Sequence, residues 1–223
     1  IASSVRALGT WLKTYAGVVL VAAFLLLALV VSEVNPLFES TDELRHYHYV
    51  RLLVTERRLP VQGAAEVRMQ GHHPPLFYTV SALLTGWIPS PHDATFTQPT
   101  NPFWGYRNWE VGVDNKLQYR HTPAESFPYR DGYAAAIAVR WVNVLFGAGT
   151  VALTYHGARR LWPDAPGMAL AAASLVAFNP QFIYLSAAVN NDVAAALLGT
   201  AVLALCARLV RDGTTWHRSA GLG

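Results

Sequence analysis

The sequence has little cysteine and little charge, and both shortages exclude classes of protein. Among its 223 residues there is one cysteine, Cys206, so no disulfide framework and no thiolate metal site can form within the chain. Charged residues make up 14% of the chain, well below the roughly 25% of soluble domains. Lysine and arginine sit at the ends of apolar runs and form no basic stripe, so we expect no nucleic-acid partner.

Long apolar runs take the place of charge. Four of them approach the ~20 residues that cross a bilayer, at about 14–32, 134–155, 167–188 and 191–210. Glu33, Asn35 and Pro36 follow the first run, where a signal peptide would have a small-residue cleavage site. The sequence therefore predicts an all-α integral membrane protein with about four transmembrane helices and the lipid bilayer as a partner.

The distribution of positive charge orients these spans. Basic residues precede span one and follow spans two and four, namely Arg6, Lys13, Arg159, Arg160, Arg208, Arg211 and Arg218. The positive-inside rule places all of them in the cytoplasm. Span one then runs outward and span two runs inward, which leaves no room for a further crossing between them. We therefore expect the shorter apolar run at 74–88 to be an interfacial helix.

This topology divides the chain into three parts. Residues 1–32 form the cytoplasmic N-terminus and span one, residues 33–133 form one extracytoplasmic loop, and residues 134–223 hold three spans and a cytoplasmic flank. The loop is expected to carry interfacial helices at about 41–57 and 74–88. Its segment 89–131 is too aromatic for a disordered linker. We expect it to be an ordered, lid-like loop on the outer face of a plasma or inner membrane.

The first group of candidate site residues follows span one, in "TDELRHYH". Thr41 can cap a helix here, and on that helix Asp42 or Glu43 shares a face with His46. Acidic residues in a first helical turn also favour the helix dipole without any catalytic role. His46 and His48 point to different faces of a helix, so we predict no metal site. Any metal reading would need His72 or His73 as partner ligands.

Two further motifs belong to the same predicted outer face. In "QGHHPPLFY", His72 and His73 precede two prolines and an apolar helix. They are either site residues or the solvated start of that helix. In "NPQFIYLSAAVNND", Pro180 should kink span three, and Asn190, Asn191 and Asp192 then lie at the outer boundary. Asn191 or Asp192 could equally cap span four.

Arg140 lies early in span two, where an isolated charge is costly. It should therefore face protein or a water-filled cavity and pair with an acid or a phosphate. Asp42, Glu43, His72, His73, Arg140 and Asp192 are all predicted on or near one outer face. This layout suits a substrate that is held in the membrane with its polar head outside.

The order of these motifs resembles the N-terminal part of the integral-membrane GT-C glycosyltransferases. The closest branch holds the protein O-mannosyltransferases and the lipid A aminoarabinose transferase. That branch has an acidic residue just past span one, matching Asp42 or Glu43, and a further Asp that opens a later span, matching Asp192. Its [K/Q/H]-PP-L-[YF]-Y segment matches the chain from His73 to Tyr78.

The resemblance implies transfer of a sugar from a polyprenyl-phosphate carrier to an acceptor outside the cytoplasm. It implies that Asp42 or Glu43 is the general base and that Asp192 orients the acceptor or a cation. The residues expected to bind substrate are His46, His72, His73, Tyr78, Arg140 and Asn191. No cofactor is required, and a divalent cation stays an alternative.

Two other functions fit the sequence less well. A non-catalytic GT-C-like scaffold subunit would use the aromatic loop to dock other membrane subunits, and the abrupt ends of the chain favour it slightly. A transporter would carry acids at mid-membrane depth, whereas Asp42, Glu43 and Asp192 lie at span ends. We also expect the chain to be a portion of a longer protein that carries further spans and more of the carrier-lipid site.

Overall fold

The computed structural model describes residues 2–61, 70–90, 98–105 and 116–213, with only the backbone given for residues 2–14 and Asp131. This described part is helical and holds no β-strand, and a single antiparallel bridge joins Thr100 to Tyr119. Its α-helices are α1 (Ala2–Val34), α2 (Glu43–Glu56), α3 (Leu76–Thr85), α4 (Asp131–Leu161), α5 (Pro166–Ala177), α6 (Pro180–Ser186) and α7 (Asp192–Asp212).

Three helices are long and apolar enough to cross a membrane, and a bent pair makes a fourth candidate. The three are Tyr15–Val34 of α1, Gly132–Leu161 of α4 and α7. The bent pair is α5 and α6, which meet at an angle of 61°. Pro180 begins α6, and Asn179 caps it by accepting from the backbone N–H groups of Gln181 and Phe182. The all-α membrane architecture and the break at Pro180 are thus confirmed.

Some helix boundaries differ from those expected. Asp42, rather than Thr41, is the N-cap of α2, and its side chain makes no capping hydrogen bond. Helix α4 continues to Leu161 because the residues after 155 include Ala158, Arg159 and Arg160, which are good helix formers. Of the predicted loop 89–131, residues 91–97 and 106–115 lie outside the described part.

The chain divides into two compact units. The first contains residues 1–31, 143–187 and 192–223. Its core combines one aromatic ring with small and branched side chains from α1, α4 and α5: Leu20, Phe24, Ala28, Val144, Ala148, Val151, Ala173 and Ala177. Small residues let helix backbones approach closely, which is how membrane helices gain packing energy. A Cβ on Gly147 would lie 2.5 Å from Ser186 Oγ and 2.7 Å from the Phe24 ring.

The second unit contains residues 32–142 and 188–191. Its centre is the pair α2 and α3, which pack against each other. The rings of Tyr49 and Tyr78 stack with their centroids 3.7 Å apart. Tyr47 donates from its hydroxyl to the carbonyl of Gly132 at the start of α4, at 3.1 Å. The aromatic residues of α2 thereby fix both α3 and the beginning of α4, and they position the polar residues described next.

Candidate active site

A fully buried ion pair between Glu43 and Arg140 holds the centre of the second unit. Both side chains are 0% exposed. Arg140 Nε donates to Glu43 Oε1 at 2.6 Å, and Arg140 Nη2 donates to Glu43 Oε2 at 2.7 Å. This parallel two-point geometry is the strongest form of such a pair. The expectation that Arg140 pairs with an acid inside the protein is confirmed.

Each remaining N–H of Arg140 is also used. Nη1 donates to the carbonyl oxygens of Ser32 and Asn35, both at 2.7 Å, and Nη2 donates to that of Pro36 at 3.0 Å. A guanidinium carries five N–H groups, and all five have acceptors. Arg140 thus bonds the end of α1 and the link after it, and it has no N–H left to donate to a phosphate.

Glu43 is saturated in the same way. Besides Arg140, its carboxylate accepts from the backbone N–H of Phe38 at 2.9 Å and from that of Val189 at 2.9 Å. These bonds fill the four acceptor positions of a carboxylate. Phe38 has φ of 68°, which is unusual for a bulky residue, and its bond to Glu43 helps to hold that conformation. Glu43 therefore has no acceptor position left for an incoming hydroxyl.

Asp42 differs from its neighbour in every one of these respects. Its side chain is 40% exposed, and Oδ1 accepts from Arg45 Nη1 at 3.0 Å. Its φ of 57° lies in the left-handed region, which is uncommon for a residue other than glycine. Asp42 lines a pocket of about 270 Å³ whose walls are residues 38–45 with Gln118 and Tyr119.

The histidines of the two sequence motifs meet in one cluster. The His46 ring lies with its centroid 5.4 Å from that of His73, which in turn lies 4.1 Å from that of His72. His46 Nδ1 shares a hydrogen bond of 2.7 Å with the Tyr78 hydroxyl. Asn191 Nδ2 lies 3.4 Å from His73 Nδ1. Five of the residues expected to bind substrate are therefore neighbours.

His46 is the electrostatically unusual member of this cluster. Burial and the nearby His73 lower the pKa of His46 to about 4, although Asp42 acts in the opposite direction. His46 is therefore neutral at physiological pH. A neutral imidazole has one N–H and one acceptor nitrogen, so His46 suits an orienting hydrogen bond with Tyr78. His72 is exposed and His73 is half-buried, so both rings are at least partly accessible.

Asp192 is the last of the candidate residues expected from the sequence. It begins α7 and belongs to the first unit, whereas residues 188–191 belong to the second. Its side chain is exposed. The catalytic role expected for Asp192 stays a prediction. Within the described ranges, no three His, Cys, Asp or Glu side chains are grouped so as to hold a metal ion.

Sequence reasoning missed Glu39, which is central to the pocket beside Asp42. Glu39 Oε2 accepts from the backbone N–H of Gln118 at 2.8 Å, and Oε1 accepts from that of Tyr119 at 2.9 Å. These bonds bring residues 118 and 119 to the pocket wall. The partners are about 80 positions apart in the chain, and no local pattern in the sequence signals such a contact.

The fold and the site together define an all-α integral membrane protein with a polar site between helices. The family model described as dolichyl-phosphate-mannose-protein mannosyltransferase matches residues 104–222, more than half of the chain. The chain belongs to this family and is, in general terms, a mannosyltransferase-like glycosyltransferase of the GT-C type. No curated protein and no solved structure matches it.

The matched residues cover only part of the site. Arg140, Asn191 and Asp192 lie within them, as do Gln118 and Tyr119. The residues of α2 and α3, and the link before α2, precede the match. The roles of Asp42, Glu43, His46, His72, His73 and Tyr78 therefore depend on their geometry, which is the basis of the proposal below.

Proposed function

We propose that this protein moves a sugar from a polyprenyl-phosphate carrier to an acceptor hydroxyl, with Asp42 as the general base. The observation that carries the proposal is the opposite placement of two adjacent acids. Both residues line the pocket, but the Glu43 side chain is fully buried and its carboxylate accepts four hydrogen bonds, whereas the Asp42 side chain is 40% exposed. A base must reach the proton that it removes, and the exposure of the Asp42 carboxylate supports Asp42 over the buried Glu43.

The reaction that fits this base is an inverting displacement. Asp42 takes the proton of the acceptor hydroxyl while the oxygen attacks the anomeric carbon. The bond from that carbon to the carrier phosphate breaks, and the phosphate leaves with the electron pair. A phosphate is a stable anion and needs no proton from the protein. One carboxylate is therefore enough, and this mechanism requires no metal ion.

The histidine cluster is the proposed place for the carrier phosphate. All five N–H groups of Arg140 donate to protein acceptors, so Arg140 is not the phosphate ligand. We assign phosphate binding to His72 and His73 instead. Imidazole N–H groups donate to phosphate oxygens, and Asn191 lies against His73 to orient its ring. His46, which is buried and neutral, contacts the His73 ring and is held by its hydrogen bond with Tyr78. We assign Glu43 and Arg140 the role of positioning residues for Asp42.

The proposed cellular setting is the plasma or inner membrane, with the site on the extracytoplasmic face. The apolar helices and the family match support a membrane protein. The basic residues in the last turns of α4 and α7, namely Arg159, Arg160 and Arg211, support a cytoplasmic location for those ends. Since α2 and α3 belong to the segment between the first two spans, they would then face outward.

The test compares two substitutions in the full-length protein supplied with a polyprenyl-phosphate sugar. Asp42→Asn should lower the transfer rate by about 10²–10⁴-fold, the usual contribution of a general base, and leave the thermal unfolding temperature unchanged. Asp164→Asn is the matched control, since Asp164 is also exposed and lies in the first unit. It should transfer at the wild-type rate. Wild-type transfer by Asp42→Asn would overturn the assignment.

A further inference from the structure

His121 lies between two carboxylates that come from distant parts of the chain. Its Nε2 is 2.8 Å from Glu39 Oε1, and its Nδ1 is 2.7 Å from Glu125 Oε2. Its side chain is 20% exposed, and those of Glu39 and Glu125 are about half as exposed. Glu39 belongs to the link between α1 and α2, and Glu125 belongs to a short 3₁₀ turn, Pro123–Glu125.

Both hydrogen bonds can form with ionised carboxylates only when the imidazole is protonated on both nitrogens. An ionised carboxylate only accepts hydrogen bonds, and a neutral imidazole has a single N–H to donate. Neutral His121 could thus bond one carboxylate and would turn a lone pair toward the other. An imidazolium has an N–H on each ring nitrogen, and it bonds both carboxylates with the added strength of opposite charge. The two short distances therefore favour charged His121.

The two carboxylates also hold the backbone around the pocket. Glu39 binds the backbone N–H groups of Gln118 and Tyr119, which line the pocket beside Asp42. Glu125 Oε1 accepts from Gln98 Nε2 at 2.7 Å and from the backbone N–H of Thr122 at 3.2 Å. Glu39 and Glu125 are joined through His121. The charge of this one imidazole therefore affects the contacts of residues 118 and 119 at the pocket wall and those of Gln98 and Thr122.

We propose that Glu39, His121 and Glu125 form a proton-operated latch, which holds residues 118 and 119 against the Asp42 pocket when His121 is charged and loosens them when it is neutral. The latch would regulate access of the acceptor to Asp42. Its effect on transfer rests on the function proposed above, whereas its effect on residues 118 and 119 does not.

The electrostatics of the surrounding groups support this direction. Burial alone would lower the pKa of His121, but hydrogen bonds to Glu125 and Glu39 and their negative charge outweigh burial and raise it. Burial and the charge of Glu39 raise the pKa of the neighbouring Tyr119; Asp42 adds a smaller effect in the same direction, and Arg45 opposes it. On α4, Tyr133 lies close enough to Glu125 to sense its charge. The acids Glu39 and Glu125 are thus the groups that decide the charge of His121.

The sign of the pH response follows from that raised pKa. The unfolded value for histidine is about 6.5. Below it the imidazole is charged whether or not the latch is closed, so the stabilisation of the closed latch is fully present. As the pH rises through the raised pKa of His121, this stabilisation is lost. The latch is therefore closed in mild acid and loosened in alkali.

The experiment measures hydrogen exchange of the Gln118 and Tyr119 amides in the full-length protein in lipid nanodiscs, from about pH 5 to about pH 9. Protection factors divide out the intrinsic pH dependence of exchange. In the wild-type protein we expect protection to fall by about tenfold or more across this range, because a charge-assisted bond is lost. His121→Gln should remove the pH dependence, and Glu39→Gln should lower protection at every pH.

His156→Gln is the matched control, because His156 is a histidine of the first unit with no bond to the latch. It should keep the wild-type profile. Protection that does not change with pH in the wild-type protein, or a wild-type profile in His121→Gln, would overturn the latch. Normal latch behaviour together with undiminished transfer by Asp42→Asn would instead overturn the function proposed above and leave the latch standing.

Discussion

Asp42 and Glu43 are consecutive residues whose carboxylates lie in opposite environments. Glu43 is completely buried and bonded to Arg140, whereas the side chain of Asp42 is 40% exposed and faces a pocket. The backbone at Asp42 is left-handed. In the sequence the two acids look equivalent. In the structure Glu43 is a buried structural residue, and Asp42 is the accessible carboxylate.

The buried pair should dominate the stability of the second unit. Glu43→Gln or Arg140→Met leaves a buried charge without its partner, which costs roughly 3–5 kcal/mol. Thermal unfolding in detergent should show a large loss for either variant. Arg208→Gln is the control, since Arg208 and Asp212 lie 3.9 Å apart and are well exposed, so that pair is worth at most about 1 kcal/mol. An equal loss in all three variants would contradict this prediction.

The backbone conformation of Asp42 predicts that two small replacements behave differently. Asp42→Gly and Asp42→Ala both remove the carboxylate, so both should abolish base catalysis. Glycine adopts a φ of 57° freely, whereas alanine there is strained by about 1 kcal/mol. Unfolding measurements should therefore find Asp42→Ala less stable than Asp42→Gly. Greater stability of the alanine variant would show that residue 42 does not hold this conformation.

Buried His46 predicts that the second unit loses stability in acid. Its pKa of about 4 in the fold lies below the unfolded value of 6.5, so the unfolded chain takes up the proton first as the pH falls. Its contribution is complete above about pH 6.5 and decreases as the pH falls to about 4, by roughly 3 kcal/mol in all. His46→Gln should flatten this part of the curve of unfolding free energy against pH.

Tyr78→Phe provides the comparison for His46→Gln. It removes the 2.7 Å bond between the Tyr78 hydroxyl and His46 Nδ1 but keeps the titrating ring. It should cost about 1–3 kcal/mol at neutral pH and retain the acid-dependent decrease. An unchanged acid dependence in His46→Gln would show that another group causes it.

Substitution of Gly147 should produce a packing defect in the first unit. An alanine methyl there would lie 2.5 Å from Ser186 Oγ and 2.7 Å from the Phe24 ring, so Gly147→Ala should destabilise by about 1–3 kcal/mol. Gly199 is the matched helical control, because a Cβ there has no atom within 4 Å among the described residues. Gly199→Ala should raise the unfolding temperature slightly through helix propensity. A stabilised Gly147→Ala variant would contradict this packing.

The fold was largely predictable because its signals are local. Apolar runs and the proline at 180 act over a few residues, and the helices lie where those signals indicated. The site was predictable in part. The cost of a charge in a span required an acid for Arg140, but Glu43 is 97 positions away, and only tertiary packing selects it over Asp42. Glu39 and His121, 82 positions apart, carry no local signal at all.

The bond between Glu43 and the backbone N–H of Val189 has a consequence for biosynthesis. The two residues are 146 positions apart, and Arg140 is 97 positions after Glu43. At typical elongation rates, Val189 leaves the ribosome on the order of ten seconds after Glu43. During that interval Glu43 lacks one of its partners, so the second unit cannot reach its native arrangement before Val189 has been made. Helix α2 therefore waits for a backbone donor that is made long after α2 itself.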